Sequence, residues 1–131
     1  MNLLHNNTLG IDIGSTTVKI AVLDSEQHIL FTDYERHYAN IQETLALLLS
    51  KAKEKLGEMT VSPSITGSGG LALSGHLNIP FTQEVVAVAT ALQDYAPDTD
   101  VAIELGGEDA KIIYFSGGID QRMNGICAGG T

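Results

Sequence analysis

A short turn rich in glycine and hydroxyl residues carries the clearest chemical signal in this sequence. Apolar residues alternate with small ones on both sides of Gly14-Ser15-Thr16-Thr17, and this period predicts a β-hairpin over Gly10–Lys19 with the turn at its tip. Successive backbone N–H groups at such a tip can form a concavity that binds an anion. Asp12 ends the first strand beside it, and an acid next to a phosphate calls for a divalent cation between them. The stretch therefore predicts a Mg²⁺–nucleotide phosphate site.

A second stretch repeats this design closer to the C-terminus. Ile103-Glu104-Leu105 is an apolar strand with an acid near its end, and the glycine turn Gly106-Gly107-Glu108-Asp109 follows it. The next strand begins near Lys111, as the second strand of the first hairpin begins near Lys19. A lone glycine hairpin is usually only a turn. Two tips with the same placement of acid and lysine indicate two clamps on one polyphosphate, and Asp109 joins the candidate phosphate-binding residues.

Size and charge narrow the ligands that such a site can take. The 131 residues suffice for one domain with a real core, and 44% of them are apolar. The net charge is −9, which argues against nucleic acid and anionic membrane surfaces as partners. Phosphate binding must therefore come from local N–H groups and a metal rather than from a general positive field.

The single cysteine and the two termini indicate the cellular compartment of the protein and whether the sequence is part of a longer one. Cys127 is the only cysteine, so an internal disulfide is impossible and a reducing compartment is favoured. Met1–Thr8 lacks the basic start and apolar core of a signal peptide, and no apolar run is long enough to span a membrane. We therefore expect a soluble cytoplasmic protein. Because the sequence stops within the glycine-rich stretch Ile126–Thr131, we expect it to be the N-terminal part of a longer protein.

Periodicity predicts an α/β fold whose main elements, the hairpin included, follow the order β-β-β-α-β-α-β-β, with short helical turns and a short last strand in addition. After the hairpin these are a strand at His28–Tyr38, a helix at Ile41–Leu56, a strand at Val61–Thr66, helical turns at Leu71–Leu77, a helix at about Gln83–Tyr95, and strands at Val101–Leu105, Ala110–Phe115 and about Ile119–Asn124. Asn40 with Glu43 resembles a capping box for the first long helix, and Thr82 is the predicted cap of the second.

Several polar features allow more than one interpretation. Glu84 either belongs to the site or simply lies in the first turn of its helix, where the helix dipole favours a carboxylate. Gly67-Ser68-Gly69-Gly70 either lines a ligand crevice or is a flexible connection. We interpret Lys51, Lys53 and Lys55 as a solvated helix face. The four histidines show no ligand spacing and are interpreted as surface or strand residues.

Three stretches together resemble a known family. The element order, with phosphate hairpins after the first and fifth strands, resembles the ribonuclease H-like half of the actin/Hsp70/sugar-kinase ATPases, a mixed β-sheet with helices on its faces. Within that superfamily, Gly10–Lys19, Glu104–Lys111 and Met123–Thr131 resemble the BadF/BadG/BcrA/BcrD-type ATPases, the activators of 2-hydroxyacyl-CoA dehydratases. The resemblance covers nearly the whole chain, and its ending Ile-Cys-Ala-Gly-Gly-Thr is the most specific part. It implies that residues 1–131 form one half of an actin-like ATPase, with the partner half beyond Thr131.

The resemblance also implies what the nucleotide is used for. In this family ATP lies between two such halves, and a homodimer holds one 4Fe–4S cluster at the subunit interface. ATP hydrolysis is coupled to transfer of one electron to a dehydratase, which permits a radical elimination of water from a 2-hydroxyacyl-CoA. Cys127 matches the first cysteine of the cluster-binding motif. Since a cubane needs four thiolates, these 131 residues alone are expected to bind a cluster poorly or not at all.

Residue roles transfer onto the matching positions. The first phosphate loop would consist of the first hairpin tip, Gly14, Ser15, Thr16 and Thr17. Asp12 would hold Mg²⁺, Gly106-Gly107 would form the second loop, and Glu84 could position the attacking water. Glu104 replaces an aspartate common in the second motif, which leaves its metal or water-orienting role open. Lys19 matches a lysine of the first motif that either serves the site or pairs with neighbouring carboxylates.

Two positions depart from the family pattern. Gly70 and Val88 stand where short activators carry an arginine and a histidine, a combination that is more similar to the long multidomain activases.

Two other functions stay open. A sugar or acyl-group kinase of the same superfamily would use Asp12 and Glu84 around ATP, but would leave the Cys127 motif unexplained. A non-catalytic nucleotide-sensing module is the third possibility.

Overall fold

The computed structural model describes residues 6–107, 110–115 and 120–123. The chain divides into two compact units, Met1–Phe81 and Thr82–Thr131. The first unit contains β1 (Asn7–Ile13), β2 (Thr17–Leu23), β3 (Ile29–Arg36), α1 (Ile41–Leu56), β4 (Val61–Thr66) and α2 (Gly70–Leu77). The second contains α3 (Glu84–Tyr95), β5 (Val101–Leu105), β6 (Ala110–Tyr114) and β7 (Asp120–Met123). The elements predicted from periodicity are confirmed, with small shifts at their ends.

Strand β1 lies inside the sheet of the first unit, which has the order β3-β2-β1-β4. It pairs antiparallel with β2 and parallel with β4, so the sheet is mixed. Because side chains alternate along a strand, Leu9, Ile11 and Ile13 share one face and are buried. Asp12 is therefore on the opposite face. The apolar alternation that predicts the strand also fixes the side of the sheet on which its acid lies.

Helix α1 closes the core of the first unit. Leu45, Leu48 and Ala52 are buried in one cluster with the apolar residues of β1 and β2. Asn40 stands at the N-cap position, but its side chain makes no capping hydrogen bond, so the predicted capping box is wrong. Its carbonyl instead accepts hydrogen bonds from the N–H and the hydroxyl of Thr44.

The second unit consists of α3 and an antiparallel three-stranded sheet in the order β5-β6-β7. Helix α3 begins one residue later than predicted, and its N-cap is Gln83 rather than Thr82. The Gln83 carbonyl accepts the N–H of Ala87, which starts the helical hydrogen bonds. Ile113 of β6 is fully buried. Among the helices of the described ranges, none is long and apolar enough to cross a membrane.

Candidate nucleotide site

The predicted anion-binding turn is the tip that joins β1 to β2. The N–H of Gly14 donates to the carbonyl of Thr17 at 2.9 Å and closes the turn. The N–H groups of Ser15 and Thr16 donate to no acceptor within the described residues. Backbone donors without a protein acceptor at an exposed turn are the groups that a phosphate can use. The geometry of this tip is therefore compatible with the predicted phosphate loop.

Asp12 lies one residue before this tip, with Lys19 opposite it on β2 and Thr66 beside it on β4. No ion pair joins Asp12 or Lys19 to another residue in the part of the chain that the structure describes. The hydroxyl of Thr66 is buried and has no hydrogen-bond partner among the described residues. Paired residues of adjacent strands project from the same face. A carboxylate and an orphaned hydroxyl thus share the face on which the site was predicted.

The glycine loop after β4 packs against the end of β1. The N–H of Gly69 donates to the carbonyl of Ile13 at 2.8 Å. Gly67 has a φ of +101°, and a Cβ on it would lie 2.3 Å from the Ile13 carbonyl oxygen and 2.6 Å from Asp12 Oδ1. Only glycine permits this approach. The loop is therefore packed against the end of β1 and is not a loose connection, while its role in lining a ligand crevice stays a prediction.

His37 is a residue of this region that the sequence interpretation missed. It was expected among surface or strand residues, yet it is buried, and its ring Nε2 lies 3.0 Å from the carbonyl oxygen of Gly14. Its backbone N–H donates to the carbonyl of Thr16 at 3.0 Å. A lone histidine in a polar stretch carries no local sign of this role, because the ring's partner at the tip, Gly14, is 23 residues away along the chain.

The second unit brings together three predicted or noted residues. The ammonium group of Lys111 on β6 forms ion pairs with Glu84 Oε2 of α3 and, at 3.4 Å, with Glu104 Oε1 of β5. Lys111 is buried, with only 8% of its surface exposed. Two of the three candidate catalytic acids, Glu84 and Glu104, therefore share one cation, whereas Asp12 does not. Gly106 and Gly107 are exposed at the end of β5, whereas Asp109 and Cys127 lie outside the described residues.

Elsewhere, Lys53 and Lys55 of α1 are exposed as predicted, whereas Lys51 is half-buried and hydrogen-bonded to two carboxylates of β3. The ammonium of Lys51 lies 3.1 Å from Asp33 Oδ2 and 2.9 Å from Glu35 Oε2. The hydrogen bond to Glu35 is the largest cause that raises the pKa of Lys51, and the hydrogen bond to Asp33 is the next. The same bond from Lys51 lowers the pKa of the Asp33 carboxyl.

No group of three or more histidine, cysteine, aspartate or glutamate side chains in the described ranges could hold a metal ion. A Mg²⁺ ion would therefore need phosphate oxygens besides Asp12, as is usual for this ion.

Comparison with known proteins identifies relatives of the whole chain. The sequence model of the BadF/BadG/BcrA/BcrD ATPase family matches residues 9–131. The (R)-2-hydroxyglutaryl-CoA dehydratase activating ATPase of Acidaminococcus fermentans is 28% identical over 129 residues, covering 95% of this chain and 49% of the relative. The chain spans about half the length of the curated relatives it matches.

Two solved structures of dehydratase activators have a fold similar to that of this chain. The crystal structure of component A of the A. fermentans (R)-2-hydroxyglutaryl-CoA dehydratase has a TM-score of 0.73 at 26% identity, over 94% of this chain and 49% of that one. The activator of the 2-hydroxyisocaproyl-CoA dehydratase from Clostridium difficile, solved with bound ADPNP, has a TM-score of 0.73 at 24% identity, over 90% and 45%. The predicted α/β fold of the actin-like ATPases is therefore confirmed.

Proposed function

The chain belongs to the BadF/BadG/BcrA/BcrD ATPase family, and we propose that it is the ATP-binding half of an activase. In this proposal, Mg²⁺-dependent ATP hydrolysis is coupled to one-electron transfer from a 4Fe–4S cluster to an enzyme of the 2-hydroxyacyl-CoA dehydratase type. The observation that carries the proposal is the β1–β2 tip, where unbonded N–H groups lie next to an unpaired carboxylate. The names of the relatives as dehydratase activators support the rest.

The first unit would bind the phosphates of the nucleotide. The N–H groups of Ser15 and Thr16 would donate to phosphate oxygens, each contributing roughly 1.5–3 kcal/mol as hydrogen bonds to a charged group. Asp12 would hold Mg²⁺, directly or through water, and the Thr66 hydroxyl is a further oxygen on that face. Mg²⁺ supplies charge neutralisation between the carboxylate and the phosphates. Lys19 is exposed and is paired with Asp12 across the hairpin, so its ammonium group could also offset the negative charge of the phosphates.

The second unit contains the other residues that the sequence predicts for nucleotide binding and hydrolysis. Gly106 and Gly107 form the proposed second phosphate loop, together with Asp109. Glu84 and Glu104 are the proposed acids that orient the attacking water. Their shared ion pair with Lys111 keeps them close to each other and partly neutralised. The lysine therefore lowers the repulsion that two carboxylates would exert on an incoming polyphosphate.

The proposed cluster and partners follow from the family rather than from the described residues. Cys127 is the proposed cluster ligand, which implies a homodimer and further cysteines elsewhere in the complete protein. When bound, a 4Fe–4S cluster supplies a low-potential electron. We propose a dehydratase-type partner in the cytoplasm, with no nucleic acid or membrane partner, in keeping with the net charge of −9.

Removal of the Asp12 carboxylate tests the nucleotide site. We expect Asp12→Ala to abolish Mg²⁺-dependent ATP hydrolysis by the complete protein, because no other carboxylate of the described residues lies at this tip. Glu26→Gln is the matched control, since it removes one carboxylate from the exposed turn at the other end of β2. Phosphate release is the measurement, and unchanged turnover in Asp12→Ala would contradict the assignment.

Iron content separates the activase from a kinase of the same superfamily. We expect the complete protein, purified without oxygen, to contain iron and sulfide, and Cys127→Ser to lose both while it still binds Mg²⁺–ATP. A kinase would bind nucleotide equally well in both forms and would contain no iron. An iron-free protein that phosphorylates a small hydroxyl or carboxylate would therefore overturn the proposed electron transfer and leave the nucleotide site intact.

A further inference from the structure

We propose that His37 is a positioning residue that orients the backbone N–H of Ser15 at the β1–β2 tip for phosphate binding. The inference rests on the proposed nucleotide site but concerns a residue for which the family resemblance assigns no role. Two groups of His37 bond to the tip: the ring Nε2 to the Gly14 carbonyl and the backbone N–H to the Thr16 carbonyl, both at 3.0 Å.

The hydrogen bonds of the ring fix its tautomer. The N–H of Ala39 can only donate, and it lies 3.0 Å from Nδ1 of His37. Nδ1 must therefore be the unprotonated acceptor of a neutral imidazole. The proton of the ring is then on Nε2, where it is donated to the Gly14 carbonyl. With only 8% of its surface exposed, the residue has both ring nitrogens bonded to backbone groups.

A backbone conformation that is rare for these residues holds the ring in place. Tyr38 and Ala39 follow His37 directly and have φ angles of 46° and 67°, in the left-handed region that non-glycine residues seldom adopt. The N–H of Asn40 donates to the carbonyl of His37 at 2.6 Å and closes this turn. Such strained residues persist where the surroundings fix them, and they cluster at functional sites. Here the turn brings the Ala39 N–H to Nδ1.

The bond from the ring to the Gly14 carbonyl determines where the N–H of Ser15 faces. In a trans peptide the carbonyl of one residue and the N–H of the next point in opposite directions, and none of the described peptide bonds is cis. Because the Gly14 carbonyl faces His37, the N–H of Ser15 faces away from it. The bond from the His37 N–H to the Thr16 carbonyl holds the other end of the tip. His37 therefore directs the Ser15 N–H, one of the two proposed phosphate donors, toward the opposite side of the tip, where an anion can accept from it.

Ring nitrogen NMR tests the geometry without any nucleotide. In the ¹⁵N-histidine-labelled protein at neutral pH, we expect His37 to carry its proton on Nε2 and none on Nδ1. His28 is the internal control, because its Nδ1 lies 3.1 Å from a carboxylate oxygen of Asp24 and favours the opposite tautomer. A proton on Nδ1 of His37 would overturn the proposal, whatever the behaviour of its variants.

Two matched variants test the consequence for nucleotide binding. His37→Gln carries an amide NH₂ at about the reach of Nε2, so it retains the donor to Gly14. His37→Asn carries an acceptor at about the reach of Nδ1, so it retains only the bond from Ala39. We expect His37→Gln to bind Mg²⁺–ATP within about threefold of the wild-type complete protein. We expect His37→Asn to bind about tenfold more weakly, which is about 1.4 kcal/mol.

The outcomes separate this proposal from the proposed function. Wild-type affinity in both variants, or an equal loss in both, would overturn the role of His37 and leave the nucleotide site in place. A wild-type complete protein that binds no Mg²⁺–ATP would overturn the proposed function, while the tautomer measurement would still report the ring geometry. If His37→Asn fails to fold, the tautomer of the wild-type ring decides the proposal.

Discussion

The β1–β2 and β5–β6 hairpins share a pattern but differ in their surroundings. In each, the acid near the end of the first strand is paired in register with a lysine on the second: Asp12 with Lys19, and Glu104 with Lys111. The apolar residues of β1 are buried, and Ile11 has only 2% of its surface exposed. The equivalent residue of β5, Ile103, has 66% of its surface exposed. The same local sequence pattern thus forms the same hairpin in two different environments.

The difference in burial changes what the two acids can do. Lys19 is exposed and forms no ion pair with the described residues, which leaves the Asp12 carboxylate available to a cation. Lys111 is buried and forms ion pairs with both Glu104 and Glu84. A buried ammonium loses its hydration and therefore requires such partners. We infer that Asp12 is better suited to hold Mg²⁺ and that Glu104 is better suited to a role through its ion pair.

Truncation of the equivalent isoleucines should give the largest difference in stability between the two hairpins. We expect Ile11→Ala to destabilise the first unit by about 3–4 kcal/mol, because a buried isoleucine leaves a cavity. Ile103→Ala should cost less than about 1 kcal/mol, since its side chain is largely in water. Hydrogen exchange of the β2 and β6 amides measures the stability of each unit separately. Equal losses would show that the exposed face of β5 is covered in solution.

Removal of the ammonium group of Lys111 or of Lys19 should give the next largest difference in stability between the two hairpins. Lys111→Met removes the cation that Glu84 and Glu104 share, and we expect a loss of about 2–3 kcal/mol in the second unit, slightly below the usual range because Glu104 is one-third exposed. Lys19→Met, the matched control, should change stability by less than about 0.5 kcal/mol. Adding Glu84→Gln to Lys111→Met should recover part of the loss, because it removes one uncompensated charge. Additive losses would contradict the coupling of the two residues.

The half-buried cluster of Lys51 with Asp33 and Glu35 should give the smallest effect on stability, visible only in its pH dependence. Since Lys51 lowers the pKa of Asp33, the folded state is favoured above the ordinary aspartate pKa and loses that advantage as the pH falls through the lowered value. The raised pKa of Lys51 favours the folded state below the ordinary lysine pKa, and this advantage is lost as the pH rises through the raised value. Urea midpoints of Lys51→Met should therefore depend less on pH at both limits, with Lys53→Met as control. Identical profiles for both variants would contradict this.

Much of the fold could be predicted from the sequence because its signals are local. The alternation of Leu9, Ile11 and Ile13 predicts both the strand β1 and its buried face. Glycine at positions 57 and 67 marks chain turns where the observed φ is positive. The helix caps were less predictable: Asn40 has a ψ of 66°, outside the extended region usual for an N-cap, and its side chain makes no capping bond. The backbone conformation that the preceding turn imposes thus overrides a capping motif in the sequence.

The amino-acid pattern alone predicts that an acid and a donor-rich turn adjoin at the end of β1, since neighbours along a hairpin remain neighbours in space. It also predicts the matching pair of Glu104 and Lys111. The burial of Lys111 and its contact with Glu84 follow from the tertiary structure, because that contact depends on how α3 packs on the sheet. The contact of His37 with Gly14 likewise follows from the tertiary structure. Contacts between residues far apart in the chain depend on packing, and no local period or motif records them.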